Sequence, residues 1–218
     1  MKKTVAIDPL FPDPALLSKT AKIIQNGGLV AFPTDTCYGL AVNPFDPEAV
    51  ARLFETKGRL SCKPIILLVS GREMLKDLIR NPTPIAKTLM AQFWPGPLTL
   101  IFEKSSRVPD QLSAADKTIG IRYPKAEVPI GLILKTGFPL TATSANRSGQ
   151  PTAASAAEIE TALGNALDLI LDAGPCERLP SALVDTTVSP AKILRKGNIS
   201  RGCSKFCVSK PKLIDSAF

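Results

Sequence analysis

Three cations, Lys57, Arg59 and Lys63, fall within seven residues in the segment KGRLSCKP. The segment follows a well-signalled helix and precedes an apolar strand, and connections of that kind build ligand pockets in α/β domains. Guanidinium and ammonium groups converging there suit a polyphosphate. A solvated helix end would carry the same residues, because cations favour the negative end of the helix dipole. The chain contains no histidine. That excludes Ser-His-Asp and Cys-His nucleophilic triads and histidine-dependent zinc sites. Positioned cations, hydroxyls and backbone N–H groups remain, and phosphoryl or nucleotidyl transfer needs little else.

Other polar segments interrupt apolar runs. TSANRSG, residues 143–149, offers small hydroxyl and amide donors after a strand and lets the backbone approach a ligand closely. An ordinary turn has the same composition. PTDT, residues 33–36, places Thr34 to Thr36 on a bend between two buried segments. Arg122 stands near the end of the strand KTIGIRYP, where it could bind a ligand or close a strand-end ion pair.

The elements that must hold these residues can be read from periodicity. Residues 16–26 form an apolar helical stripe closed by Gly27-Gly28, and LVAF (29–32) reads as a strand. Asp46-Pro47-Glu48 signals a helix start, with Val50, Leu53 and Phe54 as the buried stripe and Lys57-Gly58 as the end. Strands are expected at 65–69 and 117–124, a tight turn feeding a strand within 94–102, and helices at about 72–79, 84–93 and 128–137. A short strand opens into the loop within 139–152, and Ser155-x-x-Glu158 caps a helix ending near Gly164. LDLILDAG, SALVDTT and AKILRKG supply three closing strands, followed by a basic, weakly patterned tail over 201–218. Strands that alternate with helices early and cluster late point to an α/β fold with a twisted, open mixed sheet and flanking helices. Neither GxxxxGK[ST] nor GxGxxG occurs.

Composition narrows the partners. At 218 residues and 44% hydrophobic the chain can bury a sizeable core in one domain, expected over 1–200. A net charge of +8 implies an anionic partner, and only 6% aromatic residues favours phosphate contact over base stacking. No export signal is readable in MKKTVAIDPLFPDPALL, no membrane span is expected, and five scattered cysteines suit a reduced, cytoplasmic protein. No protein-held metal site is read from the sequence.

Taken together, FPTDTCYGLAV, the K-x-R of KGR with a following Lys-Pro, WPGPLTL, TIGIRYP, TSAN, LVD and ILRKG resemble, in order and rough spacing, the YrdC-type threonylcarbamoyl-AMP synthases. The resemblance covers about residues 15 to 200. It implies a sheet with a concave basic face, and a nucleotidyltransferase that converts L-threonine, bicarbonate and ATP to threonylcarbamoyl-AMP and pyrophosphate for tRNA modification. Mg²⁺ would accompany ATP. A threonylcarbamoyl transferase complex would be the partner, with tRNA as a further candidate. Lys57 and Arg59 would form the catalytic K-x-R element. Arg59, Lys63, Thr118, Ser144, Asn146, Thr152 and Arg195 would bind ATP, and Thr36, Arg122, Ala142 and Ser181 would border the threonine. Lys196 and Ala182 stand where the family usually has proline and threonine. Without the long C-terminal extension of the two-domain form, the chain resembles the short, single-domain form. The rivals are a non-catalytic RNA-binding protein on the same fold, and the related carbamoyltransferase domain of a metal-centre maturation factor.

Overall fold

The computed structural model describes residues 3–58, 63–113 and 116–197. In chain order the elements are β1 (Thr4–Ala6), α1 (Pro14–Gln25), β2 (Val30–Phe32), β3 (Gly39–Ala41), α2 (Pro47–Lys57), β4 (Ile66–Leu68), a 3-10 turn (Arg72–Met74), α3 (Leu75–Leu78), α4 (Pro84–Phe93), β5 (Leu98–Glu103), α5 (Asp110–Ser113), β6 (Thr118–Arg122), α6 (Glu127–Thr136), β7 (Leu140–Ser144), α7 (Ala156–Leu163), β8 (Leu169–Asp172), β9 (Ala182–Asp185) and β10 (Lys192–Arg195).

Local chemistry sets most of these boundaries. The Asp46 carboxylate accepts from the N–H groups of Glu48 and Ala49, Pro47 occupies the first turn, and Gly58 closes α2 in the left-handed region at φ +55°. Each feature matches the sequence expectation. Ser155 caps α7 by accepting from the Glu158 N–H. The expected helix at 72–79 is corrected: it divides into the 3-10 turn and the four-residue α3. Gly71 offers no side-chain cap, and Ile79 turns extended to bridge Lys104, so a neighbouring strand end wins over the helical pattern. β1 carried no readable strand signal and exists by pairing with β8.

Among the described residues the ten strands form one open, mixed sheet in the order β1-β8-β2-β3-β7-β4-β6-β5-β9-β10. The alternation of side chains divides its core into two layers. Val30 and Phe32 of β2, with Leu169 and Leu171 of β8, join Leu17 and Ile24 of α1 and Leu132 and Ile133 of α6. Ala31 and Ile170 face the other way, into a larger cluster with Leu53 and Phe54 of α2, Leu89 of α4 and Ile159 of α7. Leu98, Leu100 and Phe102 of β5, Ile119 and Ile121 of β6, and Ala182 and Val184 of β9 extend that larger cluster. Thr99, Arg122 and Leu183 therefore point to the opposite face, in the half of the sheet that supplies no strand residue beyond β4 and β7 to the α1/α6 layer. The candidate site lies there.

The Asp168 carboxylate, just before β8, ties the start of the neighbouring β2 to α2. It accepts from the Leu29 N–H at 2.7 Å and pairs with Arg52 at 2.8 Å. Partial burial pushes its pKa up, but the Arg52 guanidinium and the Leu29 N–H outweigh this and hold it below the usual carboxylate value. A depressed carboxylate pKa contributes stability that is present above the unfolded value of about 3.9 and is lost as pH falls through the folded value. Asp168→Asn is accordingly expected to melt at a lower temperature than the parent near neutral pH, with the gap closing below about pH 4. Thermal melts across that range check it; a gap that stays constant into acid would assign the effect to shape rather than charge.

No helix among the described residues is long and apolar enough to cross a membrane.

Candidate active site

Cross-strand register assembles the site. Arg122 at the end of β6 stands opposite Thr99 of β5 on one side and Leu68 of β4 on the other. Ala142 of β7 stands opposite Ile66 of β4, and Ser144 opposite Gly39 of β3. The Thr34–Cys37 bend and Pro180–Ser181 close the ends, leaving a cavity of about 200 Å³. Thr36, Arg122, Ala142, Ser144, Thr152, Ser181 and Arg195, all expected site residues, line this one cavity.

Arg122 is 5% exposed, and its guanidinium is held from three directions. Nε donates to the Gly96 carbonyl at 3.0 Å, Nη1 to the Thr36 hydroxyl at 2.8 Å, and Nη2 to Asp35 Oδ1 at 2.5 Å. The bend that supplies Thr36 is fixed by Thr34, whose hydroxyl oxygen accepts from the Thr36 and Cys37 N–H groups and donates to the Cys37 carbonyl. This is the self-bonding that makes threonine a turn residue.

Arg195 reaches the same cavity by a different device. Ile193 pairs with Val184, but Arg195, two residues on, pairs with Leu183 across a bulge. Regular alternation would keep Arg195 on the core side with Ile193; the extra residue moves it to the pocket face. Its Nε donates to the Ser181 carbonyl at 3.0 Å and its Nη2 to the Ser181 hydroxyl at 3.2 Å, which also bonds the Thr99 hydroxyl at 2.8 Å. Among the described residues Arg195 has no carboxylate within ion-pair distance. Burial, with Arg122 across the pocket adding to it, lowers its pKa from the ordinary value. A desolvated, uncompensated guanidinium of this kind attracts an anion.

Lys57 sits beneath the TSAN loop. It is 2% exposed, and its ammonium donates to the Ser144 carbonyl at 2.5 Å, the Asn146 carbonyl at 2.7 Å and Asn146 Oδ1 at 3.4 Å. Its own carbonyl accepts from the Ser148 N–H, and Asn146 bonds Ser144 through Oδ1 and the Gln150 carbonyl through Nδ2. The solvated-helix-end alternative therefore fails for Lys57. Lys57 and Asn146 shape the loop from behind the pocket wall. Lys63 does not line the cavity, although the adjacent Pro64 does. Thr118 shares the face of Arg122 on β6, two pleats away and outside the cavity lining. Arg59 lies outside the described residues.

Sequence reasoning did not single out Cys37, Tyr38 or Thr99, which also line the cavity. Burial pushes the Cys37 thiol pKa up, despite the Thr36 hydrogen bond and the Arg122 charge. Burial likewise pushes Tyr38 up to about 12. Its hydroxyl donates to the Gly174 carbonyl at 2.7 Å and accepts from the Ala173 N–H at 3.0 Å, which anchors the loop leading to Ser181. A fully buried threonine in the apolar strand LTLIFE was the one available signal for Thr99.

A family model for Sua5, YciO and YrdC proteins, described as "Telomere recombination", matches residues 22–197. The chain belongs to this family. Two curated relatives are threonylcarbamoyl-AMP synthases. The one from Pyrococcus abyssi is 38% identical over 180 residues, 82% of this chain. The one from Bacillus subtilis is 34% identical over 196 residues, 89% of this chain. This Sua5/YciO/YrdC chain spans 53% and 57% of their lengths, respectively. The crystal structure of Pyrococcus abyssi Sua5 complexed with L-threonine superimposes with a TM-score of 0.85 at 35% identity, covering 89% of this chain and 57% of that one. The YrdC-type resemblance and the open mixed α/β sheet expected from the sequence are thus both borne out.

Proposed function

We propose that this chain is an L-threonylcarbamoyladenylate synthase, a nucleotidyltransferase that makes threonylcarbamoyl-AMP and pyrophosphate from L-threonine, bicarbonate and ATP. The observation that carries the reading is the convergence of Thr36, Arg122, Ala142, Ser144, Thr152, Ser181 and Arg195 on a single cavity. Its volume of about 200 Å³ suits an amino-acid-sized ligand. The Pyrococcus abyssi relative, of the same fold, was crystallised with L-threonine. In this reading the threonine amine and bicarbonate form a carbamate with loss of water. A carbamate oxygen then attacks the α-phosphate of ATP, and pyrophosphate leaves. No side chain forms a covalent bond. The protein's part is to hold two anions together and offset charge as it develops, which cations and oriented donors accomplish without histidine.

Arg195, held by Ser181, faces the anionic side of this reaction, and the Ser144–Thr152 loop would receive the nucleotide. Among the described residues no group of three or more His, Cys, Asp or Glu side chains gathers that could cage a metal. A Mg²⁺ ion would accordingly ride on the nucleotide's phosphates, as Mg²⁺ commonly does. The product would pass to a threonylcarbamoyl transferase complex acting on tRNA in the cytoplasm. A cavity that gathers two arginines and several hydroxyls among apolar walls favours this reading over a non-catalytic RNA-binding surface.

Purified protein should release pyrophosphate from ATP only when L-threonine, bicarbonate and Mg²⁺ are all present, because the nucleophile needs both co-substrates. Release that ignores threonine, or no release under any combination, would overturn the proposal.

A further inference from the structure

The Asp35 carboxylate does more than the reaction above uses. It meets Arg122 through Oδ1, and its side chain is 14% exposed. Oδ2 is buried without a hydrogen-bond partner. An unsatisfied buried oxygen costs stability, and a buried guanidinium–carboxylate pair is weak evidence of a stabilising role in any case. The pair therefore asks for a purpose outside folding. Arg122 is already oriented at Nε by the Gly96 carbonyl and at Nη1 by the Thr36 hydroxyl. What Asp35 adds is a negative charge.

That charge makes the two arginines of the cavity unlike. The Arg122 corner is a matched pair of net charge zero, with one unspent carboxylate oxygen. Among the described residues the Arg195 corner carries a cation held by the carbonyl and hydroxyl of Ser181 and by no carboxylate. A free α-amino acid is a zwitterion of no net charge, so a neutral corner suits it, and the Asp35 charge behind the cavity lining acts on its ammonium through space. A phosphate or pyrophosphate gains from an unopposed cation, and would be drawn to Arg122 as well as Arg195 if Asp35 were neutral.

We propose that Asp35 is a specificity-determining positioning residue that divides the cavity into a neutral corner at Arg122, fitted to the zwitterionic end of an α-amino acid, and a cationic corner at Arg195, fitted to a fully anionic group. The ligand assigned to the neutral corner rests on the proposed function. The division of charge does not.

The test uses the full chain with two probes, inorganic pyrophosphate and L-threonine, titrated calorimetrically. Asp35→Asn keeps the shape and an acceptor for Arg122 while removing the charge. Pyrophosphate is expected to bind this variant on the order of tenfold tighter, the effect of one unit charge a few ångströms away at intermediate dielectric. L-Threonine is expected to bind on the order of tenfold more weakly, from loss of the same charge. Adding Arg122→Gln to Asp35→Asn restores neutrality and should return pyrophosphate binding to the parent level while threonine binding stays weak. If Asp35→Asn alone fails to fold, Arg122→Gln compared with the double variant decides the matter: the two differ only in the Asp35 charge, and Arg122→Gln should bind pyrophosphate on the order of tenfold more weakly than the double variant. Unchanged pyrophosphate affinity, or loss of both ligands together in a variant with a lowered melting temperature, overturns the proposal. A parent protein that binds pyrophosphate but not L-threonine overturns the proposed function instead, and the pyrophosphate response of Asp35→Asn then still decides the division of charge.

Discussion

Replacing Arg195 with glutamine is expected to lower the rate of pyrophosphate release by on the order of 10²–10³, the usual cost of removing one preorganised electrostatic donor. The expectation follows from its isolation. Arg195 is largely desolvated, faces Arg122 across the cavity, and is held by two oxygens of Ser181 without a carboxylate to balance it among the described residues. A fold gains little from such a cation, so its contribution should appear in the reaction, where negative charge moves toward the leaving group. Glutamine keeps hydrogen bonds to Ser181 within reach but not the charge. Lysine should recover only part of the rate, because an ammonium lacks the planar fork that spans the Ser181 carbonyl and hydroxyl together. Steady-state rates and melting temperatures of both variants provide the check. Parental turnover in Arg195→Gln would remove this residue from the reaction, and a loss that tracks the melting temperature would make it structural.

Lys57→Met is expected to be comparably damaging by an indirect route. The ammonium anchors the carbonyls of Ser144 and Asn146; without it the Ser144 carbonyl keeps the Asn146 N–H, but the buried Asn146 carbonyl is left unsatisfied at a cost of about 1–3 kcal/mol. The loop that runs from Ser144 past Asn146 to Thr152 would then lose its fixed shape. Misplacing a binding group by about 1 Å can cost on the order of 10²-fold in rate. Turnover should therefore fall by at least that order, accompanied by a lower melting temperature and faster proteolysis within residues 146–152. A variant with normal turnover and an intact loop would show that the loop holds itself. A slow variant whose loop and melting temperature are unchanged would instead point to contact between Lys57 and the substrate.

Several features of this chain were legible because their causes are local. Asp46, Pro47 and Gly58 determine where α2 starts and stops through one side-chain cap, one fixed φ and one left-handed residue. The polar segments PTDT and TSAN were visible because they interrupt apolar runs, and both border the cavity. Seven motifs in order were sufficient to indicate the family, which the family-model match over residues 22–197 bears out.

Other features depend on pairings between distant residues, which no local pattern encodes. The three closing strands look equivalent in sequence, yet β8 inserts between β1 and β2 while β9 and β10 lie at the far edge. The ILRKG segment announces a strand but not its bulge, and the bulge decides which face Arg195 takes. KGR announces three charged or flexible residues at a helix end, but packing decides that Lys57 is buried under the TSAN loop. Arg122 was recognisable as a site candidate, whereas its neutralisation by Asp35 required two segments far apart in the chain to meet. By itself the sequence determined the helix ends, the bends and the residue types available for chemistry, all consequences of short-range sterics and hydrogen bonding. Tertiary structure alone decided which of those residues share a cavity and which carry an unbalanced charge into it, because strand order, register and burial are settled only when the whole sheet assembles.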